Sequence, residues 1–178
     1  MTEPKSTAGY PQHARRTEVV LPEGLVGSTA FDYADAFEIG LPESVAKSPE
    51  ELFRAALDDV SWVRRWVPIV HRHVLRFRLG PLESPNHVMG WRIQSSHADA
   101  VVLEADGPLV RGTIVGRKIN PETVVFTSFL TYVNRAPARL VWALVGPVHR
   151  RIAPYLLERG VATVEQAGGK QGSTEAGR

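Results

Sequence analysis

The chain has 178 residues and no cysteine, and it sets 21 basic against 19 acidic side chains for a formal charge of +2. That length suits one domain, and an apolar share of 43% is enough for a hydrophobic core. The missing cysteines exclude disulfides, thiolate metal sites, iron–sulfur ligation and thiol nucleophiles, and make a cytoplasmic protein the default expectation. The pI near 9.1 rests on a surplus of two charges. That surplus builds no whole-molecule field of the kind nucleic-acid binders use. Met1–Arg16 is polar and lacks an apolar h-region, so it does not read as a secretory signal. The longest apolar run, Leu140–Val148, has nine residues, far short of the ~20 that a membrane helix needs.

Met1–Arg16 and the Gly/Ser/Thr-rich Gly168–Arg178 carry no periodicity and bury too little to offset the entropy of ordering. The expectation is a single domain over 17–162 between disordered tails at 1–16 and 163–178. A short strand is expected around Val19–Leu21. In 31–39 the odd positions hold Phe31, Tyr33, Asp35, Phe37 and Ile39. That is a half-buried strand with Asp35 as the exception on its inner face.

Ser48-Pro-Glu-Glu51 is the strongest local signal. Ser48 reads as the N-cap, Pro49 as the first helical residue and Glu51 as the partner that closes a capping box. Phe53, Ala56, Leu57 and Val60 form the stripe that follows. A second helix is expected over 61–79, where Val63, Trp66, Val67, Val70, Val74 and Phe77 recur at helical spacing. Pro68 should kink or break it just beforehand, and Gly80-Pro81 should end it. From Gly90 the period becomes two, giving strands over 90–96, 99–105, 109–118 and 123–133. Turns fall at Asp106-Gly107 and Asn120-Pro121-Glu122, and sequential antiparallel pairing is the simplest topology. The last element reads as a helix over 136–158 with a stripe of Leu140/Val141, Leu144, Val148, Ile152 and Tyr155/Leu156. Gly160 would be its C-cap, and Pro147 and Pro154 prevent a straight, fully bonded run. The sum is α+β: a curved antiparallel sheet gripping a long C-terminal helix, with two helices inserted after the first strand.

Two stretches carry a resemblance: Trp62–Gly80, a Trp- and Arg-rich helix ending in Leu-Gly, and Thr123–Arg151. In the latter a Thr-rich strand and Asn134 lead into Arg139-Leu-Val-Trp142 and then Gly146-Pro-Val-His-Arg150. The chain resembles a bacterial family of unknown function within the START-like, helix-grip superfamily, which includes polyketide-cyclase-like proteins. Some members are fused to a short-chain-reductase-like domain. Pro147-Val148-His149-Arg150 matches a proline-aromatic-His signature with Val148 in the aromatic's place. The five or six strands legible here are fewer than that superfamily shows, which implies a smaller cavity or none.

The resemblance implies a cavity between sheet and last helix that takes an apolar small molecule or lipid. It points to Trp91, Ile93, Arg111, Phe126, Tyr132, Trp142 and His149 as inward-facing candidates. An ordinary core explains the aromatics equally well. Arg111 either enters the core with a partner or faces water. His149 is a candidate acid/base or a hydrogen-bonded structural residue at the Pro147 kink, with Asp35 and Asp99 as conceivable partners. No cofactor is implied. His71 and His73 fall on opposite helix faces, unsuited to one ion, and HExxH, GxSxG and phosphate-loop patterns are missing. Gly112 and Gly116 mark close packing within a strand.

Arg64, Arg65, Arg72, Arg76 and Arg78 form an acid-free basic run with two histidines. It is either a solvated face or a patch for an anionic membrane surface or acidic partner. Specific nucleic-acid recognition is not expected, and a homodimer stays open. The expected function is carriage of an apolar ligand. A cyclase, hydratase or isomerase in the same cavity, or an interaction module acting through the Arg-rich helix, are the alternatives.

Overall fold

The computed structural model describes residues 13–20, 30–42, 47–58 and 61–175. Among them, one antiparallel sheet has eight strands in the order β1-β2-β8-β7-β6-β5-β4-β3. Five are long: β2 (Tyr33–Gly40), β5 (Trp91–Ser96), β6 (Ala100–Asp106), β7 (Val110–Asn120) and β8 (Thr123–Tyr132). The expected meander is β5 to β8, and β2 returns to pair with β8, which is therefore central. The Pro121-Glu122 turn is held by the Glu122 N–H donating to Asn120 Oδ1 at 2.9 Å.

The other three strands are edge pieces: β1 (Arg15–Thr17), β3 (Glu83–Ser84) and β4 (His87–Val88). Two or three residues show no period, so they were invisible in the sequence. β1 corrects the N-terminal boundary. Arg15 and Arg16, expected in a tail, pair with Glu38 and Phe37, and the Ala14 N–H donates to Glu158 at 2.9 Å. The helical insertion thus follows the second strand. Val19 and Val20 are not in a strand, and Leu21 and Val60 lie outside the described residues.

Helix α1 (Pro49–Asp58) begins as its sequence demands. Ser48 Oγ accepts from the Glu51 N–H, and Glu51 Oε2 accepts from the Ser48 N–H at 2.9 Å. Helix α2 (Ser61–Ile69) keeps Pro68 inside it and is followed by a π-helical turn, Val70–Val74. The Leu75 N–H reaches back five residues to the Val70 carbonyl. That extra residue shifts the helical phase. Val74, expected in the core, is 41% exposed, while Leu75 is buried. Phe77 and Arg78 are no longer helical, so the helix ends well before Gly80.

Helix α3 (Arg135–Glu175) is far longer than expected, running through Pro147, Pro154 and the expected stop at Gly160 and into the expected tail. Gly160 is buried helix interior instead of a cap: a Cβ there would lie 2.8 Å from the Leu52 carbonyl and 2.9 Å from Ala56 Cβ. It is the contact that lets α1 and α3 cross closely. The buried face of α3 carries Ala138, Trp142, Leu157 and Val161, with Val141, Val145 and Leu156 packed beside them. Leu140, Leu144 and Val148, expected in the core stripe, are 68%, 71% and 52% exposed.

The inner face of the sheet presents Phe37 and Ile39, Trp91, Val101 and Leu103, and Phe126 and Leu130 to the helices. Its outer face has a smaller cluster of Val102, Val115 and Phe129 capped by Phe31, which precedes β2 and so leaves the alternation expected of it. The fold is the α+β helix grip: a curved antiparallel sheet closed over a long C-terminal helix.

Candidate functional site

Between the inner face of the sheet and helices α1, α2 and α3 lies a cavity of about 310 Å³. Phe53 and Leu57 of α1 and Trp62 and Trp66 of α2 form part of its wall, together with Trp91, Phe126 and the α3 residues Trp142, Val145 and Val148. Strand parity explains the sheet side. β7 turns Gly112, Ile114 and Gly116 inward, and the glycines leave room for large neighbours. A Cβ on Gly112 would sit 2.6 Å from the Trp91 ring, and one on Gly116 would sit 2.5 Å from Phe126. The Trp91 and Phe126 rings take the space that those bare positions leave.

A few polar groups stand in or behind this apolar wall. Asp35 is fully buried on β2, and Tyr33 donates its hydroxyl to Asp35 Oδ2 at 2.7 Å. His149 Nε2 stands 3.3 Å from the same carboxylate. Burial alone would push the Asp35 carboxyl up, yet the hydrogen bond and charge of His149, with the Tyr33 hydroxyl, hold it below its ordinary value. Burial and the bond to Asp35 push Tyr33 up to about 12. His149 lines the cavity, and with Nε2 engaged by Asp35, Nδ1 is its remaining nitrogen.

The π-turn adds a second histidine. His71 lines the cavity, and its Nδ1 accepts from Trp91 Nε1–H at 3.1 Å. Burial, and then the charge of His149, lower its pKa to about 4. It is therefore neutral near pH 7, and because Nδ1 accepts, the proton sits on Nε2. Trp142 also lines the cavity, stacked edge-on to Tyr33 at 4.7 Å. Its buried Nε1–H has no acceptor among the described residues, which is costly unless something else supplies one.

Of the residues expected to face a ligand, Trp91, Phe126, Trp142 and His149 come together on the cavity wall. Ile93 and Tyr132 pack against the core but lie outside that wall. Arg111 is a correction. It is an odd residue of β7, hence on the outer face, 64% exposed and paired with Asp106 across the hairpin at 2.6 Å. Trp66, read from its spacing as a core residue, is 56% exposed at the cavity mouth. Arg64, Arg65, Arg72, Arg76 and Arg78 are all on the surface. Asp35 was readable as a carboxylate at an inward strand position. His71 was not, since its direction depends on the π-turn.

No protein-family model and no curated protein matches the chain. Among solved structures it is similar to a conserved protein of unknown function from Enterococcus faecalis. The two share 13% identity at a TM-score of 0.29, over 80% of this chain and 87% of the other. No helix of the described residues is long and apolar enough to cross a membrane.

Proposed function

We propose that the protein binds an apolar small molecule or lipid in the cavity between sheet and α3, as its resemblance to START-like proteins implies. The carrying observation is the void itself. At about 310 Å³ it falls at the lower end of the roughly 300–1,000 Å³ typical of ligand sites. Its lining is almost wholly apolar, so water held there finds few partners and an apolar occupant is favoured over it. The His71 Nε2–H favours a ligand with an oxygen acceptor.

Ser128 sits on the inner face of β8 at the cavity wall, and Ser128→Phe should fill the space. We expect saturable binding of an environment-sensitive apolar probe to the wild type, and no such binding by a Ser128→Phe variant of equal or higher melting temperature. A variant that melts several degrees lower instead reports a core without room, and overturns the reading.

The Asp35–His149 pair supports a second reading, an enzyme. A buried carboxylate that fixes the tautomer of a histidine facing a ligand site is the arrangement of a general base. His149 Nδ1 would take a proton from carbon next to a ligand carbonyl, and the His71 N–H would meet the enolate oxygen. The assay is incorporation of solvent deuterium beside the carbonyl of an apolar ketone. Exchange above buffer in the wild type, falling about 10²-fold or more in His149→Gln, is the expected result of this reading. Exchange at the buffer rate leaves carriage alone.

A further inference from the structure

The mouth of the cavity is more apolar than a solvent-facing rim should be. Trp62 and Trp66 of α2 and Val148 of α3 line the cavity and yet are 46%, 56% and 52% exposed. Leu144 and Leu140 continue from Val148 along α3 at four-residue spacing, and both are more exposed still. At about 100° per residue, Leu140, Leu144 and Val148 form one strip beside the buried face. Trp62, Trp66 and Ile69 form another on α2. The two strips flank one opening.

The charge around it is one-sided. From Ser61 to Leu82, and again from Thr123 to Leu157, there is not one Asp or Glu. The same stretches hold Arg64, Arg65, Arg72, Arg76 and Arg78, and Arg135, Arg139, Arg150 and Arg151. Arg64 and Arg135 make only long contacts, to Glu83 at 3.8 Å and to Asp32 at 3.9 Å. Arg65, Arg72, Arg139 and Arg151 have no carboxylate partner among the described residues. Arg65 lies beside Trp66, and Arg151 falls on the exposed strip between Val148 and Tyr155. Long stems among apolar neighbours with cationic tips above them is how interfacial helices meet headgroups.

We propose that this rim docks on an anionic bilayer surface, so that the mouth opens toward lipid. The inference deepens the cavity reading and rests on it for what passes through the mouth. A second copy of the chain fits less well, since a two-fold contact would set arginine against arginine. A nucleic acid would meet the arginines but has no counterpart for Leu140, Leu144 and Val148.

The experiment is co-sedimentation of the full chain with vesicles. One set is pure phosphatidylcholine, and the other is phosphatidylcholine and phosphatidylglycerol in a two-to-one ratio. The wild type should partition at least about tenfold more strongly to the anionic set, less so at high salt. Its tryptophan emission should shift to the blue as Trp62 and Trp66 leave water. Leu144→Glu and, separately, Arg65→Glu should each reduce partitioning at least about tenfold, with melting temperature and soluble-probe binding in the cavity unchanged. Leu144 is exposed, so these variants should fold. Equal partition to both vesicle sets, or wild-type partition retained in both variants, overturns the docking surface while leaving the cavity reading intact. A concentration-dependent dimer lost in Leu144→Glu, or an RNA oligonucleotide that displaces the vesicles, assigns the rim to another partner and likewise overturns it. Vesicle binding without probe binding would sink the cavity reading alone.

Discussion

Burial of His71 makes stability depend on pH. In the unfolded chain its imidazole takes up a proton near 6.5, whereas in the folded protein burial delays this to about 4. Between those values the unfolded state binds the extra proton, so stability is full above about pH 7 and declines as pH falls. From pH 7.5 to 5 the loss is about 2 kcal/mol, from ~1.4 kcal/mol per pH unit over the 1.5 units below 6.5. For a domain of this length that lowers the melting temperature by about 4–8 °C. Asp35 and Glu51 do not contribute, because both are held below their ordinary values of 3.8 and 4.5. Their stabilising effect is lost only at lower pH still. The assay is urea denaturation at intervals across pH 5–7.5 for the wild type and His71→Gln, whose amide oxygen can still accept from Trp91 Nε1–H. Parallel stability curves for the two proteins would refute the reasoning, since the decline would then belong to another group.

Two further predictions concern the frame of the site. Ser48→Ala should destabilise by about 0.5–2 kcal/mol, seen as a lower urea midpoint at unchanged slope, because it removes the acceptor of the Glu51 N–H. Gly160→Ala raises helix propensity by about 1 kcal/mol, yet should still destabilise, since the new methyl meets the Leu52 backbone and overpacking costs about 1–3 kcal/mol. A more stable Gly160→Ala protein would show that α1 can move away from α3.

What could be read from the sequence was what depends on near neighbours. The capping box lies within four residues, and the meander from β5 to β8 announces itself through period and turns. What failed depends on phase. The stripe Val63, Val67, Val70, Val74 is a sound helical spacing until the π-turn inserts a residue, after which Leu75 faces in and Val74 faces out. The edge strands needed the rest of the sheet to exist first. Arg111 was decidable in principle: Gly112 and Gly116 were already read as packing positions, and alternation then sends Arg111 to the other face. The Asp35–His149 pair was half visible: Asp35 is a carboxylate among inward apolar residues, and it was one of two conceivable partners for His149.

The misreading of α3 bears on function. From Leu140 to Leu157 the helix is apolar on well over half of its circumference, so periodicity alone offers two faces for the core. The sheet can grip only one, and the choice falls on the face with Trp142, Val145 and His149. Trp142 and His149 pack with Tyr33 and Asp35, and Trp142, Val145 and His149 line a void against the sheet. The face left over, Leu140, Leu144 and Val148, would be an ordinary defect on a carrier of no particular kind. It adjoins the mouth of that void instead, opposite Trp62 and Trp66, and arginines without acids surround both. On the two proposals above, a single surplus of apolar side chains would account for two features at once: an inner wall suited to an apolar occupant and an outer rim suited to an apolar, anionic neighbour. A lipid bilayer meets both requirements, which is why the vesicle and cavity-filling experiments test linked but separable halves of one argument.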